Sequence, residues 1–272
     1  MNEIVQKLVN DLSNQKEVEA ILLGGSYGAK TNDENSDYDI YVYLNSKFDA
    51  SKRKNILEKY YKYIEIANTY FEEEDDGVLT DGTEVELIYR DCNFFDDMLN
   101  NTINNCMPCI GYSTCFCFNL INSIILYDAN GKLEKIQNKY NVPYPDKLQE
   151  NIIKKNYELI KEKMPAYYYQ IKKAIGRDDY VSVNHRVSAL LASYFDIIFA
   201  KNKFWHPGEK KIIKIIKDNN LKVPKDMEQN VNSILKHTFD NASMLLKDID
   251  DLVANLDEFL KKNKIFNMKQ IQ

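Results

Sequence analysis

Val18-Glu19-Ala20-Ile21-Leu22-Leu23-Gly24-Gly25-Ser26, followed a short way on by Ser36-Asp37-Tyr38-Asp39-Ile40-Tyr41-Val42-Tyr43-Leu44, is the stretch on which the reading of this chain turns. Val18 to Leu23 is a short apolar run that ends in Gly-Gly, the pattern of a buried strand entering a tight loop. Asp39 to Leu44 is β-branched and aromatic, so it reads as a second strand. Glycines let a backbone approach a phosphate closely, and the Ser26 hydroxyl could donate to one of its oxygens. Residues i and i+2 of a strand share a face, so Asp37 and Asp39 project together. Two neighbouring carboxylates repel unless a cation neutralises them. Mg²⁺ is commonly held by one or two carboxylates together with substrate phosphates.

Working outward, Ile4, Val5, Leu8, Val9 and Leu12 form a helical stripe. Lys52 to Tyr63 reads as a helix and Ala67 to Phe71 as a short strand. Asp75-Asp76-Gly77 and Asp81-Gly82 read as turns. Thr83 to Tyr89 then reads as a further strand. Within it, Glu86 is an acid among apolar residues, which is costly unless the charge is paired, metal-bound or outward-facing. Glu84 lies on the same face by the period of two, so both are candidates for a third acid. Residues 93–125 read as mainly helical and Tyr127 to Gly131 as a turn. Asn141-Val142-Pro143-Tyr144-Pro145-Asp146 is the clearest linker. Beyond it come long helical stretches, Lys147–Met164, Ala166–Ile175, Asp178–Lys201, Glu209–Asn219 and two more between Asp226 and Lys262. The expected fold class is α+β, a small mixed-sheet domain over residues 1–142 with its core in about 1–92, then an all-α bundle over 146–272.

Composition sets the outer bounds. The chain has 272 residues, 44% of them hydrophobic, enough for a real core. No apolar run reaches the ~20 residues a membrane span needs. The first residues lack the basic flank and apolar stretch of a secretory signal, so a cytoplasmic protein is expected. Residues 1–140 hold 13 Lys and Arg against 24 Asp and Glu, a net −11, and the remainder 23 against 17, a net +6. An acidic half suits cations and a basic half suits a triphosphate. The basic residues form no concentrated stripe of the nucleic-acid-binding kind. Cys106-Met107-Pro108-Cys109 has CxxC spacing, but Cys115-Phe116-Cys117 does not complete a zinc set and no histidine lies nearby. With Cys92, these thiols are read as buried and inert.

Gly-Ser, then Asp-x-Asp opening a strand, then a distant acid on another strand resembles the DNA polymerase β-like nucleotidyltransferase superfamily. The positions that carry it are Gly25, Ser26, Asp37, Asp39 and Glu86. The resemblance implies that Gly25 and Ser26 hold the β- and γ-phosphates of an NTP. It implies that Asp37 and Asp39 bind Mg²⁺ bridging the triphosphate, and that Glu86 joins them at a second, catalytic Mg²⁺. It implies transfer of an NMP, with ATP the usual donor, to a hydroxyl with pyrophosphate release. Where many such proteins have a second glycine, four residues after the serine, this chain has Lys30. The third acid is Glu, where Asp is commoner.

A small domain of this kind followed by a helical bundle resembles the aminoglycoside and lincosamide nucleotidyltransferases. Tyr127-Asp128, Ser193-Tyr194-Phe195-Asp196 and His206-Pro207-Gly208-Glu209-Lys210 extend the resemblance into the second half. A small hydroxylated acceptor, such as an antibiotic, is the expectation that follows. Lys210 is a candidate phosphate contact, and Glu209 or Asp196 a candidate base for the acceptor hydroxyl. His185, Ala189, Ala192 and Asp196 fall on one helical stripe that could line a pocket. Two alternatives stay open. One is a minimal nucleotidyltransferase acting on a protein or tRNA, against which the net negative charge weighs for tRNA. The other is a nucleotide-binding module without catalysis, which retention of all three acids opposes.

Overall fold

The computed structural model describes residues 1–33 and 36–261. The helical end expected at Lys262 lies outside the described residues. Two compact units are resolved, one of Met1–Asn104 with Phe116–Pro143, the other of Asn105–Cys115 with Tyr144 onward. The excursion 105–115, which the sequence places in the first domain, thus packs with the helical unit.

The first unit is built on a six-stranded mixed sheet, with β1 (Val18–Leu23), β2 (Tyr38–Leu44), β3 (Tyr61–Asn68), β4 (Glu73–Leu79), β5 (Glu84–Asp91) and β6 (Ile124–Asp128) in the order β3-β4-β5-β2-β1-β6. Its helices are α1 (Glu3–Ser13), the single turn α2 (Gly25–Gly28), α3 (Ala50–Leu57), α4 (Cys92–Ile103), α5 (Cys115–Asn122) and α6 (Lys132–Tyr140). Val5, Leu8, Val9 and Leu12 of α1 enter one core with Tyr38, Ile40 and Val42 of β2 and Val85, Leu87 and Tyr89 of β5. Alternation therefore turns Asp39, Tyr41 and Tyr43 of β2, and Glu86, Ile88 and Arg90 of β5, to the opposite face. β2 and β5 run parallel with Asp39 opposite Glu86, the pairing that shapes the site.

Three expectations are corrected. The helix read over Lys52 to Tyr63 ends at Leu57, and Tyr61 to Asn68 is strand. The alternating Tyr61, Tyr63, Glu65 side pairs with β4 and overrides the helical spacing. Asp75-Asp76-Gly77 is the middle of β4 and not a turn. Asp75 is held inside by Ala67 N–H, 2.7 Å from Oδ1, and Tyr89 O–H, 2.7 Å from Oδ2. Gly77 is there because a Cβ would lie 2.2 Å from the Tyr63 carbonyl. Finally, Ile124 to Asp128, read as helix and turn, is a strand pairing with β1.

In the second unit, α7 (Asp146–Tyr157), α8 (Tyr167–Ile175), α9 (Tyr180–Lys201), α10 (Ile212–Asp218), α11 (Met227–Asp240) and α12 (Ala242–Lys261) surround one apolar core. α9 is its axis, with Val183, Val187, Leu190, Tyr194, Ile197, Ile198 and Phe199 buried. No helix among the described residues is long and apolar enough to cross a membrane.

Candidate active site

β1 ends at Leu23 and the chain enters α2 through Gly24, whose N–H donates to the Asp39 carbonyl at 2.9 Å. This bond fixes the loop to the strand that carries the acids. Gly25 has φ +52°, the left-handed region that favours glycine. A Cβ on it would stand 1.6 Å from Asp39 Oδ2, so the loop and the carboxylate leave no room for a side chain. Ser26 Oγ is buried without a hydrogen-bond partner among the described residues. Lys30 takes φ +57°. The backbone thus adopts, with a lysine, a conformation that suits the glycine more usual at this position.

Asp37, Asp39 and Glu86 are half-buried, and one oxygen from each lies within 4.8 Å of the others. The parallel register sets Glu86 directly beside Asp39. Glu84 is exposed at the start of β5 and does not enter this group, so of the two acids on that face Glu86 is the one brought to the aspartates. Burial, followed by the charges of Asp39 and Asp37, pushes the Glu86 carboxyl up to about 7. Three hard oxygen donors at this spacing, with a glycine backbone and an unpartnered hydroxyl beside them, fit a divalent cation carrying phosphate.

The acidic character extends further than the motif. In register across four strands, Glu65 faces Asp76, Asp76 faces Glu86 and Glu86 faces Asp39. Burial raises the carboxyls of both Asp76 and Glu74; neighbouring acids add to the shift, and at Asp76 the Asn68 amide opposes it. Glu72 to Asp76 is an unbroken run of acids with no alternation, so nothing in its sequence marks Asp76 as facing Glu86.

Asp196, Glu209 and Lys210 belong to the second unit. Asp196 is 1% exposed and accepts Ser113 Oγ–H at 2.6 Å, Ser113 N–H at 3.1 Å and Asn156 Nδ2 at 3.0 Å. Burial still lifts its carboxyl to about 6 against these donors. The pocket-wall reading of its stripe is corrected accordingly. Gly111 packs on Ala192, where a Cβ would come within 2.9 Å of the Ala192 Cβ, and His185 is exposed. Small residues on α9 admit the 105–115 segment. The helix expected from Glu209 begins at Ile212, so Glu209 and Lys210 are exposed in the turn before it. His206 is buried, with Gly208 N–H donating to its Nδ1 at 3.1 Å, and burial pushes it down to about 3. Of the cysteines, Cys92 and Cys117 are buried, whereas Cys109 is exposed.

Residues 6–81 match the family model "Polymerase beta, Nucleotidyltransferase", and residues 114–211 match a "Domain of unknown function (DUF4037)". The first unit therefore carries a polymerase β-type nucleotidyltransferase domain, and a helical part follows it. No curated protein matches the chain by sequence. Among solved structures, a nucleotidyltransferase-like protein from Exiguobacterium sibiricum is similar at 9% identity and TM-score 0.44, over 96% of this chain and 74% of that one. An aminoglycoside 6-adenyltransferase from Bacillus subtilis is similar at 10% identity and TM-score 0.28, over 95% and 90%. The Thermotoga maritima CCA-adding enzyme, in complex with tRNA, is similar at 9% identity and TM-score 0.30, over 95% and 81%.

Proposed function

We propose that this protein is a metal-dependent nucleotidyltransferase that moves an NMP from an NTP to a hydroxyl of a small molecule and releases pyrophosphate. The observation that carries the reading is the meeting of Asp37, Asp39 and Glu86 within 4.8 Å beside Gly25. In this reading the three carboxylates hold Mg²⁺, which when bound neutralises charge on the transferring phosphate and on the attacking and leaving oxygens. Gly24 and Gly25 bring backbone close to the triphosphate, and Ser26 Oγ–H donates to one of its oxygens. Asp196 is committed to three donors inside its own unit; Glu209 is a candidate base for the acceptor hydroxyl and Lys210 a candidate charge for phosphate. ATP as donor, and an aminoglycoside or lincosamide as acceptor, follow from the resemblance in sequence.

Pyrophosphate release from ATP and Mg²⁺, measured with a panel of aminoglycosides, lincosamides and nucleosides, tests the reading. The wild-type protein should release pyrophosphate with at least one acceptor. Asp37→Ala with Asp39→Ala should lower the rate by about a thousandfold, the scale of losing several kcal/mol of charge stabilisation. A double variant as fast as wild type would falsify the metal site.

A further inference from the structure

The glycine loop is held from beneath. A Cβ on Gly24 would lie 2.2 Å from Tyr41 Cε2 and 3.0 Å from Asn119 Oδ1, so the loop backbone rests against the tyrosine ring and the amide. Tyr41 stands two residues beyond Asp39, on the same face of β2, and is 5% exposed. Its ring is fixed on two sides. Asn119 Nδ2 donates to its hydroxyl at 2.7 Å, and the Arg90 guanidinium lies 4.3 Å from its centroid. Arg90 is tied in turn to Glu72, through Nε at 2.7 Å and Nη2 at 2.5 Å. Ser123 Oγ–H donates to the Asn119 backbone carbonyl at 2.7 Å, which ties Asn119 to the end of its helix. The far end of the loop leans on the same helix end, for a Cβ on Gly28 would stand 3.2 Å from the Asn122 carbonyl.

We propose that Tyr41, locked by Asn119 and Arg90, is a positioning residue that sets where Gly24, Gly25 and Ser26 stand and so determines affinity for the triphosphate. The inference rests on the reading of that loop as a phosphate cradle. A backbone cradle binds well only when held to within about 0.5 Å of its productive place. The tetrapeptide turn α2 is too short to hold itself there, and a ring buried on both sides is a rigid stop. Because the carboxylates are carried by β2 and β5 directly, cation binding does not depend on the brace.

The test uses the full chain and two probes, a non-hydrolysable ATP analogue with Mg²⁺ and Mn²⁺ alone, each titrated calorimetrically. Tyr41→Leu removes the stop and should weaken the analogue by about tenfold or more, with Mn²⁺ affinity changed by less than about twofold. Tyr41→Phe keeps the ring but gives up the Asn119 hydrogen bond, so it should weaken the analogue less than Tyr41→Leu and about as much as loss of the Asn119 amide. Asn119→Ala, which frees the ring without removing it, should weaken the analogue by about threefold to tenfold. This variant decides the matter alone if Tyr41→Leu does not fold. Parallel loss of analogue and Mn²⁺ overturns the brace in favour of general loosening. Variants that bind the analogue as wild type does overturn the brace while leaving the cradle standing. A wild-type protein that binds no analogue overturns the cradle, and the brace with it.

Discussion

Gly25 combines a φ of +52° with a site where any Cβ would lie 1.6 Å from Asp39 Oδ2. In Gly25→Ala the left-handed backbone costs about 1–2 kcal/mol, and the methyl forces the Asp39 carboxylate to rotate away. Asp39 is one of the three grouped acids, so the local relief is taken at the functional group itself. Pyrophosphate release should fall by about a hundredfold, the effect of ångström-scale misplacement, with only a few degrees lost in melting temperature. Glu86 yields a second expectation. Its folded carboxyl sits at about 7, above the ordinary 4.5, so between those values the folded state holds a proton that the unfolded state has released. Its contribution to metal-free stability is therefore present at low pH and lost as pH rises through 7. Melting temperatures without metal should decline over that interval, and Mg²⁺ should raise them more at pH 8 than at pH 6 because it need not displace a proton. Glu86→Gln should flatten both trends in a pH series of thermal melts.

At the scale of elements, β3, β4 and α3 are held by a group that the sequence hid. Arg53, fully buried, has Nε 3.0 Å from Asp75 Oδ2 and Nη1 2.6 Å from Glu73, with its guanidinium 4.2 Å from the Tyr89 ring centroid. Asp75→Asn leaves that guanidinium without its buried partner and should cost about 3–5 kcal/mol in urea unfolding. Asp76 faces the row of acids on the opposite side, so Asp76→Asn should be neutral or stabilising in the same assay. The contrast accounts for what was legible. β1, β2 and β5 are readable because each is a short apolar, β-branched or aromatic run bounded by turn or polar residues, the trace of a strand buried on both faces. β4 is Glu-Glu-Asp-Asp-Gly-Val-Leu, and its strand state is imposed by partners on β3 and β5 that local composition does not reveal. The acid motif was legible for the same reason that β2 was. The choice of Glu86 over Glu84 was not, since both obey the period of two and only the register against Asp39 separates them.

At the scale of the whole chain, the path crosses between the two units three times, after Asn104, after Cys115 and after Pro143. A spacing pattern reveals a proline-rich linker at 141–146 but gives no sign of the excursion, and Asn105 to Thr114, read with the rest of 93–125 as mainly helical, lies outside any helix between α4 and α5. Its place in the helical unit is specified by individual buried hydrogen bonds. Gly111 N–H donates to Asn156 at 3.0 Å, Ser113 donates twice to Asp196, and His206 N–H donates to Thr114 Oγ1 at 2.7 Å. Gly111, at φ +71°, supplies the close approach to Ala192. A protein cut at an engineered protease site between Asn141 and Tyr144 should therefore remain in one piece on native size exclusion. Residues 105–115 of the amino-terminal fragment are part of the carboxy-terminal fragment's core. Ser113→Ala in the cut protein removes a hydroxyl donor from a buried carboxylate, which costs about 1–3 kcal/mol, or roughly a tenfold to hundredfold rise in the dissociation constant of the fragments. Fragments that separate freely on cutting, or that hold together equally with and without Ser113, would show that these bonds do not anchor the excursion.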